Sequence, residues 1–203
     1  MSRPLTIALV IACFLAFGAV MQTRSRFRVT PLIEAAARRH GGTVRRSRLG
    51  MPQLILRTHG RDIRFTLMSK STSSPEGGGE MTCVDFDVAP HVVAEFRVRE
   101  RVDARRNALP ALLKGGRKTF LLGDAGFDLR FHGEGLDPAR AKWIMSEPSL
   151  FQAVLALPRG ADIRIEAGRC YIAVDGFPKD QQCFDRLLAV SERLLGSLDR
   201  RGS

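Results

Sequence analysis

Two aspartates and a histidine are the residues of this chain whose spacing most resembles a catalytic set. Asp124, Asp128 and His132 follow one another at intervals of four residues. Paired carboxylates beside an imidazole can transfer protons or bind a divalent metal ion. On an extended strand, however, residues four apart are separated by about 13 Å, and aspartates commonly cap turns or accept backbone hydrogen bonds. We therefore predict structural roles for the two aspartates. The alternative is a hydrolase-like or metal-dependent enzyme that uses all three residues.

The usual catalytic and ligand-binding motifs are missing from the sequence. It contains no G-x-S-x-G, no H-E-x-x-H and no C-x-x-C, and the glycine-rich stretch 69–80 is not followed by the G-K-[ST] of a phosphate-binding loop. The pattern therefore indicates a protein without catalytic residues, cofactor or metal. Three cysteines follow the N-terminal segment, namely Cys83, Cys170 and Cys183, and this odd number suits a reducing compartment. In an exported protein, Cys170 and Cys183 would be the first pair to consider for a disulfide.

An uninterrupted apolar run opens the chain. Leu5 to Met21 contains 17 residues without a charge, which as a helix would extend about 26 Å, slightly less than a hydrocarbon core. A cleavable signal has a shorter apolar region of about 7–15 residues, and the small-x-small site Ala16-Phe17-Gly18 lies inside the run. The run therefore predicts a retained transmembrane helix, and signal-peptide cleavage followed by export is the alternative.

The charges that flank this run predict its orientation. Only Arg3 precedes it, whereas residues 22–50 carry eight arginines against Glu34. Because basic flanks remain on the cytoplasmic side, we predict a single-pass protein of the cell inner membrane with its C-terminal domain in the cytoplasm. The same arginines are expected to contact anionic lipid headgroups. These predicted membrane-surface residues are Arg24, Arg26, Arg28, Arg38, Arg39, Arg45, Arg46 and Arg48.

The formal net charge of +11 does not by itself indicate a nucleic-acid partner. Most of the excess lies in residues 22–50, beside the apolar run. A second basic block at 97–118 has phenylalanines only at its edges, and the chain has a single Trp and a single Tyr. Stacking aromatics are typical of proteins that bind single-stranded nucleic acid. The composition therefore favours the membrane, and a protein partner of unknown identity, over nucleic acid.

Hydrophobic periodicity beyond residue 28 predicts an α+β domain with an antiparallel sheet built from hairpins and bordered by helices. Residues 1–28 are predicted to form the anchor and basic flank, and 29–203 the soluble domain, with a possible division into lobes 29–107 and 108–203. In the first lobe the patterns predict a helix that starts at Thr30-Pro31 and stops at Gly41-Gly42, strands at 53–58 and 62–68, a flexible loop at 69–80, a strand at 84–88 with a neighbour at 96–98, and a helical turn at 108–113.

The second lobe has clearer boundaries. We predict a strand around Phe127–Phe131, helices starting at Asp137-Pro138 and Ser146-Glu147-Pro148, a hairpin around Ala167-Gly168 and a final helix capped by Asp180. The apolar residues of that last helix recur at the spacing of a single stripe, which is typical of a helix that lies across a sheet. They are Phe184, Leu187, Leu188, Leu194, Leu195 and Leu198.

Residues 119–197 resemble an uncharacterised bacterial membrane-associated family, a domain of unknown function. Phe127, Asp128 and Phe131 match an F-D-x-x-F element, the segment 139–146 resembles an A-R-x-x-W-I-M-S helix, and Tyr171-Ile172-Ala173 resembles a Y-I-A strand. The resemblance implies a membrane-tethered cytoplasmic module and carries no catalytic residues with it. The sequence thus predicts a single-pass, membrane-anchored protein whose domain acts as a non-catalytic binding or scaffold module at the membrane surface.

Overall fold

The computed structural model describes residues 28–46, 51–70, 79–92, 94–101 and 116–201. The fold is a two-layer α+β arrangement built on one antiparallel sheet of nine strands. The strands are β1 Thr43–Arg45, β2 Gln53–Thr58, β3 Arg61–Lys70, β4 Gly79–Asp87, β5 Phe96–Glu100, β6 Lys118–Phe120, β7 Phe131–Gly135, β8 Asp162–Glu166 and β9 Arg169–Asp175. Their order across the sheet is β1-β2-β3-β4-β9-β8-β5-β7-β6.

Five helices accompany this sheet within the described ranges. Helix α1 occupies residues 28–40 of the described chain. The others are α2 Ala125–Arg130, α3 Pro138–Met145, α4 Pro148–Leu155 and α5 Gln181–Arg201. The predicted class, α+β with an antiparallel sheet, is confirmed. The predicted transmembrane helix lies outside the described residues.

Strict alternation along the strands places one set of side chains in the core. Phe65, Val84, Ile172 and Ile163 are almost fully buried, and each lies opposite another buried residue on the neighbouring strand. The residues between them stay partly exposed, as expected for a sheet with one buried and one solvated face. The hydrophobic core therefore lies between one face of the sheet and the helices.

Helix α5 supplies the largest helical contribution to this core. Its predicted stripe is buried, from Phe184 to Leu198, and the ring of Phe184 lies 5.8 Å from that of Phe65 on β3. The Asp180 carboxylate accepts a hydrogen bond from the Cys183 N–H at 3.0 Å, which confirms the predicted N-cap. Helices α3 and α4 also begin where predicted, with Asp137 and Glu147 as their caps.

The two hairpin turns have the backbone conformation that their sequences favour. His59-Gly60 has φ values of 51° and 75°, and Ala167-Gly168 has values of 49° and 72°. Two successive residues with positive φ match the right-handed twist of adjoining strands. Strands β2 and β3 and strands β8 and β9 consequently pair in the predicted order.

Two predictions about the middle of the chain are wrong. The segment from Phe127 to Phe131 is not one strand, because 125–130 form helix α2 and β7 begins only at Phe131. The two phenylalanines are four residues apart, as on one face of a helical turn, and their rings pack 4.8 Å apart. Strand β5 was expected beside the strand at 84–88, but its neighbours are β7 and β8.

Several element boundaries differ from the sequence prediction. Residues 28–30 are already helical, so Thr30-Pro31 does not start α1. Strand β3 extends to Lys70 and β4 begins at Gly79, which shortens the expected loop, whose remainder lies outside the described residues. The predicted helical turn at 108–113 also lies outside them. The sheet is continuous through strands from both sides of residue 107, the boundary at which the sequence allowed two lobes.

A charged cluster joins the sheet to the end of α4. The Arg130 guanidinium donates to the Glu100 carboxylate at 2.8 Å, to the Leu155 carbonyl at 2.5 Å and to the Leu157 carbonyl at 2.8 Å. The other oxygen of Glu100 accepts the Gly160 N–H. We call these five residues the Arg130 clamp. It satisfies backbone carbonyls that the C-terminus of a helix leaves without intrahelical partners.

Candidate functional site

The structure assigns local structural roles to the two aspartates of the proposed catalytic set. The Asp124 carboxylate caps α2 by accepting the Phe127 N–H at 2.8 Å. The Asp128 carboxylate accepts the N–H groups of Leu122 and Gly123, both at 2.9 Å. Both carboxylates are therefore engaged in holding the loop before α2. The predicted structural roles are confirmed.

His132 lies on a different element from the two aspartates. It is on β7, directly opposite Arg99 of β5, whereas the aspartates precede and occupy α2. Within the described parts of the chain, no three His, Cys, Asp or Glu side chains come together as a metal site. The arrangement gives no support to the enzyme that the sequence left as an alternative.

Polar and charged side chains of the strands cover the side of the sheet that faces away from the helices. We call this surface, formed by the strand side chains that point away from the helices, the open face. One row of directly opposed residues crosses seven strands of it. From β3 to β6 the row comprises Arg64, Asp85, Tyr171, Arg164, Arg97, Glu134 and Thr119. At about 4.8 Å between strands, the row is about 29 Å long.

Ion pairs link neighbouring strands of the open face. The Asp85 carboxylate accepts from Arg64 at 2.8 Å and from Arg169 at 2.9 Å. Nearer the other edge, Asp162 of β8 pairs with Arg97 of β5 at 2.5 Å. Most of these side chains are between one seventh and one half exposed, a range in which single pairs contribute little stability. Positive and negative groups are interspersed across the strands, so the open face is polar without a strong excess of either sign.

Tyr171 is at the centre of the open face. It lies on β9, the fifth of the nine strands, and is the single tyrosine of the chain. The guanidinium carbons of Arg164 and Arg169 lie 5.3 and 5.6 Å from its ring centroid. This cation–π arrangement gives the face a flat aromatic centre surrounded by hydrogen-bond donors. Tyrosine and arginine are the residues most enriched in the energetic centres of protein interfaces.

Cys83, also on the open face, is a poor nucleophile. Burial, and to a lesser extent the nearby Asp85 carboxylate, raises the pKa of its thiol to about 11. Because the thiolate is the reactive form, this environment opposes nucleophilic catalysis at neutral pH. Cys83, Cys170 and Cys183 are all free thiols, so the Cys170–Cys183 pair considered for an exported protein is not formed.

The β5–β7 end of the open face contains buried polar groups that lack partners. Glu134 is 8% exposed, and its Oε1 has no hydrogen-bond partner. The Nε of Arg99, two residue pairs further along the same two strands, is also buried and without a partner. Burying such groups unsatisfied costs about 1–3 kcal/mol each. Stability alone does not account for their presence at this position.

The predicted membrane-surface arginines are exposed where the structure describes them. Arg28, Arg38 and Arg39 on α1 are exposed, whereas Ile33 and Ala36 of the same helix are buried. Two further arginines, Arg45 and Arg46, are exposed at β1, where Arg46 pairs with Glu34. Arg24, Arg26 and Arg48 lie outside the described residues. No helix within the described ranges is both long and apolar enough to cross a bilayer.

The open face as a single surface is not among the features predicted from the sequence. Its local signal was present, because charged residues alternate with buried ones at Asp85 and Asp87 on β4 and at Arg164 and Glu166 on β8. What local patterns do not contain is the strand order, which brings β4, β9, β8 and β5 side by side.

The fold and the open face define an α+β domain with a one-sided antiparallel sheet, and a solved structure has a similar fold. No family model matches the chain, and no curated protein matches it. The crystal structure of the mycobacterial trehalose monomycolate transport factor A, TtfA, aligns with a TM-score of 0.54 at 10% sequence identity. The alignment covers 83% of this chain and 93% of that one. At this identity the likeness shows the fold alone.

Proposed function

We propose that this protein is a single-pass, membrane-anchored binding module of the cell inner membrane, whose cytoplasmic domain presents the open face to a protein partner. The observation that carries the proposal is the position of the exposed arginines of α1. Helix α1 is described from residue 28, and the apolar run ends at Met21. Basic side chains so close to a bilayer gain about 1 kcal/mol each from anionic headgroups.

The chemistry of the open face supports a binding role over a catalytic one. Its carboxylates are shared between arginines, its thiol is protonated at neutral pH, and its aromatic centre is flanked by guanidinium groups. Such a surface can exchange its internal ion pairs for pairs with a partner of complementary pattern, which confers specificity.

Membrane fractionation tests the anchor. We expect the full chain to sediment with membranes and to resist extraction by high salt and by alkaline carbonate, since the apolar run and not charge retains it. A variant without residues 5–21 is the matched control and is expected in the soluble fraction. Release of the full chain by carbonate would contradict the anchor.

Vesicle binding tests the electrostatic part. A variant that starts at Gln22 is expected to bind anionic vesicles weakly and to detach as salt rises, because screening weakens attraction between exposed charges. Neutralising the described basic residues of α1 and β1 should weaken this binding; they are Arg28, Arg38, Arg39, Arg45 and Arg46. Equal binding to anionic and to neutral vesicles would contradict the contact with anionic headgroups.

A further inference from the structure

Helix α5 carries a second basic row that the proposed anchor and the open face leave unused. Arg186, Arg193 and Arg200 recur every seven residues and are all exposed. Seven residues return a helix to within about 20° of the same direction, so the three side chains form a row along its outer side. The helix has 21 residues and is about 31 Å long. We call this set the α5 arginine row.

An acidic residue precedes each arginine, and two of the three acidic residues are neutralised from within the fold. Asp185 pairs with Arg39 at 3.1 Å and with His40 at 2.9 Å, and Asp199 pairs with Arg61 at 2.7 Å. The third, Glu192, is half-buried. Asp185 is thus turned toward α1, and Asp199 toward strand β3 of the sheet. Within the described residues, the arginine row forms no direct ion pair, although Arg200 is close enough to the Glu147 carboxylate to help lower its pKa. Arg186 contacts the neutral Gln182.

The contacts of Asp185 also place the α5 arginine row beside the basic side of α1. The Gln181 side chain donates to the Leu32 carbonyl of α1 at 2.7 Å, next to the Arg39–Asp185 pair. Arg39 on α1 therefore lies near the Arg186 end of the α5 arginine row, on the helix side of the domain. The open face lies on the opposite side of the sheet.

We infer that the helix layer, through the α5 arginine row, lies against the anionic headgroups of the bilayer and leaves the open face directed away from it. This inference rests on the proposed anchor. Six residues separate Met21 from the described start of α1, and they span at most about 22 Å. A domain tethered so closely by α1, with a row of exposed guanidinium groups on the adjoining helix, is complementary to a phosphate-rich plane.

Photo-crosslinking of the full chain in vesicles tests this orientation. The vesicles contain phosphatidylserine and a phospholipid with a photoreactive headgroup, and the cross-linked peptides are mapped by mass spectrometry. We expect adducts on α1 and α5 and few on β8 and β9. At about 1 kcal/mol per arginine, each substitution should reduce the docked population about fivefold at low salt. The triple variant R186Q/R193Q/R200Q should therefore lose at least about nine tenths of the α5 adducts.

A variant with the same charge change on the opposite surface is the control. R57Q/R164Q/R169Q removes three exposed arginines from the open face and should retain the α5 adducts. Adducts mainly on β8 and β9, or α5 adducts unchanged in the triple variant, would overturn the orientation. If the triple variant lost an associated protein but kept its lipid adducts, the α5 arginine row would bind a protein partner. That result would overturn the lipid contact. A chain that fails to float with the vesicles would instead contradict the anchor.

Discussion

Replacing Arg130 by glutamine tests whether the Arg130 clamp holds the end of α4 and the β5–β7 region together. The substitution removes the charged hydrogen bond to Glu100 and two bonds to carbonyl groups at 155 and 157. It leaves a carboxylate that is only 14% exposed with the Gly160 N–H as its remaining partner in the clamp. The cost therefore combines lost hydrogen bonds with an uncompensated charge.

The expected magnitude follows from these contacts. A hydrogen bond to a charged group contributes about 1.5–3 kcal/mol, and breaking a buried ion pair costs about 3–5 kcal/mol. Because the Arg130 side chain is 26% exposed, solvent screens part of this loss, and we expect a decrease of about 2–3 kcal/mol in the free energy of unfolding. For a domain of this size that is a fall in Tm of about 5–10 °C.

Urea denaturation followed by circular dichroism measures the effect, with Arg164→Gln as the matched control. Arg164 lies 3.7 Å from Glu166, and both side chains are nearly half exposed, so its loss should cost no more than about 1 kcal/mol. The double variant with Glu100→Gln should recover part of the loss, because the uncompensated charge is removed. Equal effects of the two single arginine substitutions would refute the clamp.

Three further predictions concern packing and titration. Gly133→Ala should destabilise the fold by about 1–3 kcal/mol, because an added Cβ would lie 2.6 Å from the Phe120 ring. Gly79→Ala is the control and should be nearly neutral, because an added Cβ there would meet nothing within 4 Å. Equal urea midpoints for the two variants would contradict this prediction. Alkylation of Cys83 should be slow at pH 8 and accelerate toward pH 11, because its pKa is raised to about 11; a plateau near pH 9 in a mass-spectrometric time course would contradict the burial effect. Burial opposes ionisation of Glu147, but hydrogen bonds from Ser149 and from the Leu150 N–H outweigh it and lower the pKa below 4.5. The contribution of Glu147 to stability is therefore present above about pH 4.5 and lost as pH falls through the lowered pKa. The difference in unfolding free energy between the native chain and Glu147→Gln should consequently shrink on acidification, and a difference that grew would contradict this.

Local chemistry made the second half of the fold predictable. Asp137-Pro138, Glu147-Pro148 and Asp180 each place a side-chain acceptor before a helix, and the structure uses all three as caps. The apolar stripe of α5 is buried as expected. In these segments, the local preference and the tertiary packing favour the same structure.

Helix α2 shows where local reading fails. Phe127 and Phe131 were interpreted as residues of one strand, but Asp124 caps a six-residue helix between them. The ring of Phe127 is held by Phe151 of α4 at 5.2 Å, a contact between segments 24 residues apart. A helix this short has little intrinsic stability, so distant packing determines its conformation.

The open face was unpredictable for a related reason. The sequence signals which strand residues point outward, but the pairing of β4 with β9 and of β5 with β8 joins residues more than 60 positions apart. The α5 arginine row, by contrast, could have been found, because Asp-Arg, Glu-Arg and Asp-Arg pairs recur every seven residues from Asp185. Apolar periodicity alone does not reveal this charged period.

The location of the C-terminus tests the central claim most directly. Fusions at Ser203 to a fluorescent reporter that matures in the cytoplasm and to a phosphatase that is active only after export should give opposite readouts. Fluorescence in the membrane fraction without phosphatase activity is the expected result. Phosphatase activity, with a mature chain that begins beyond Gly18, would contradict the anchored, cytoplasmic arrangement.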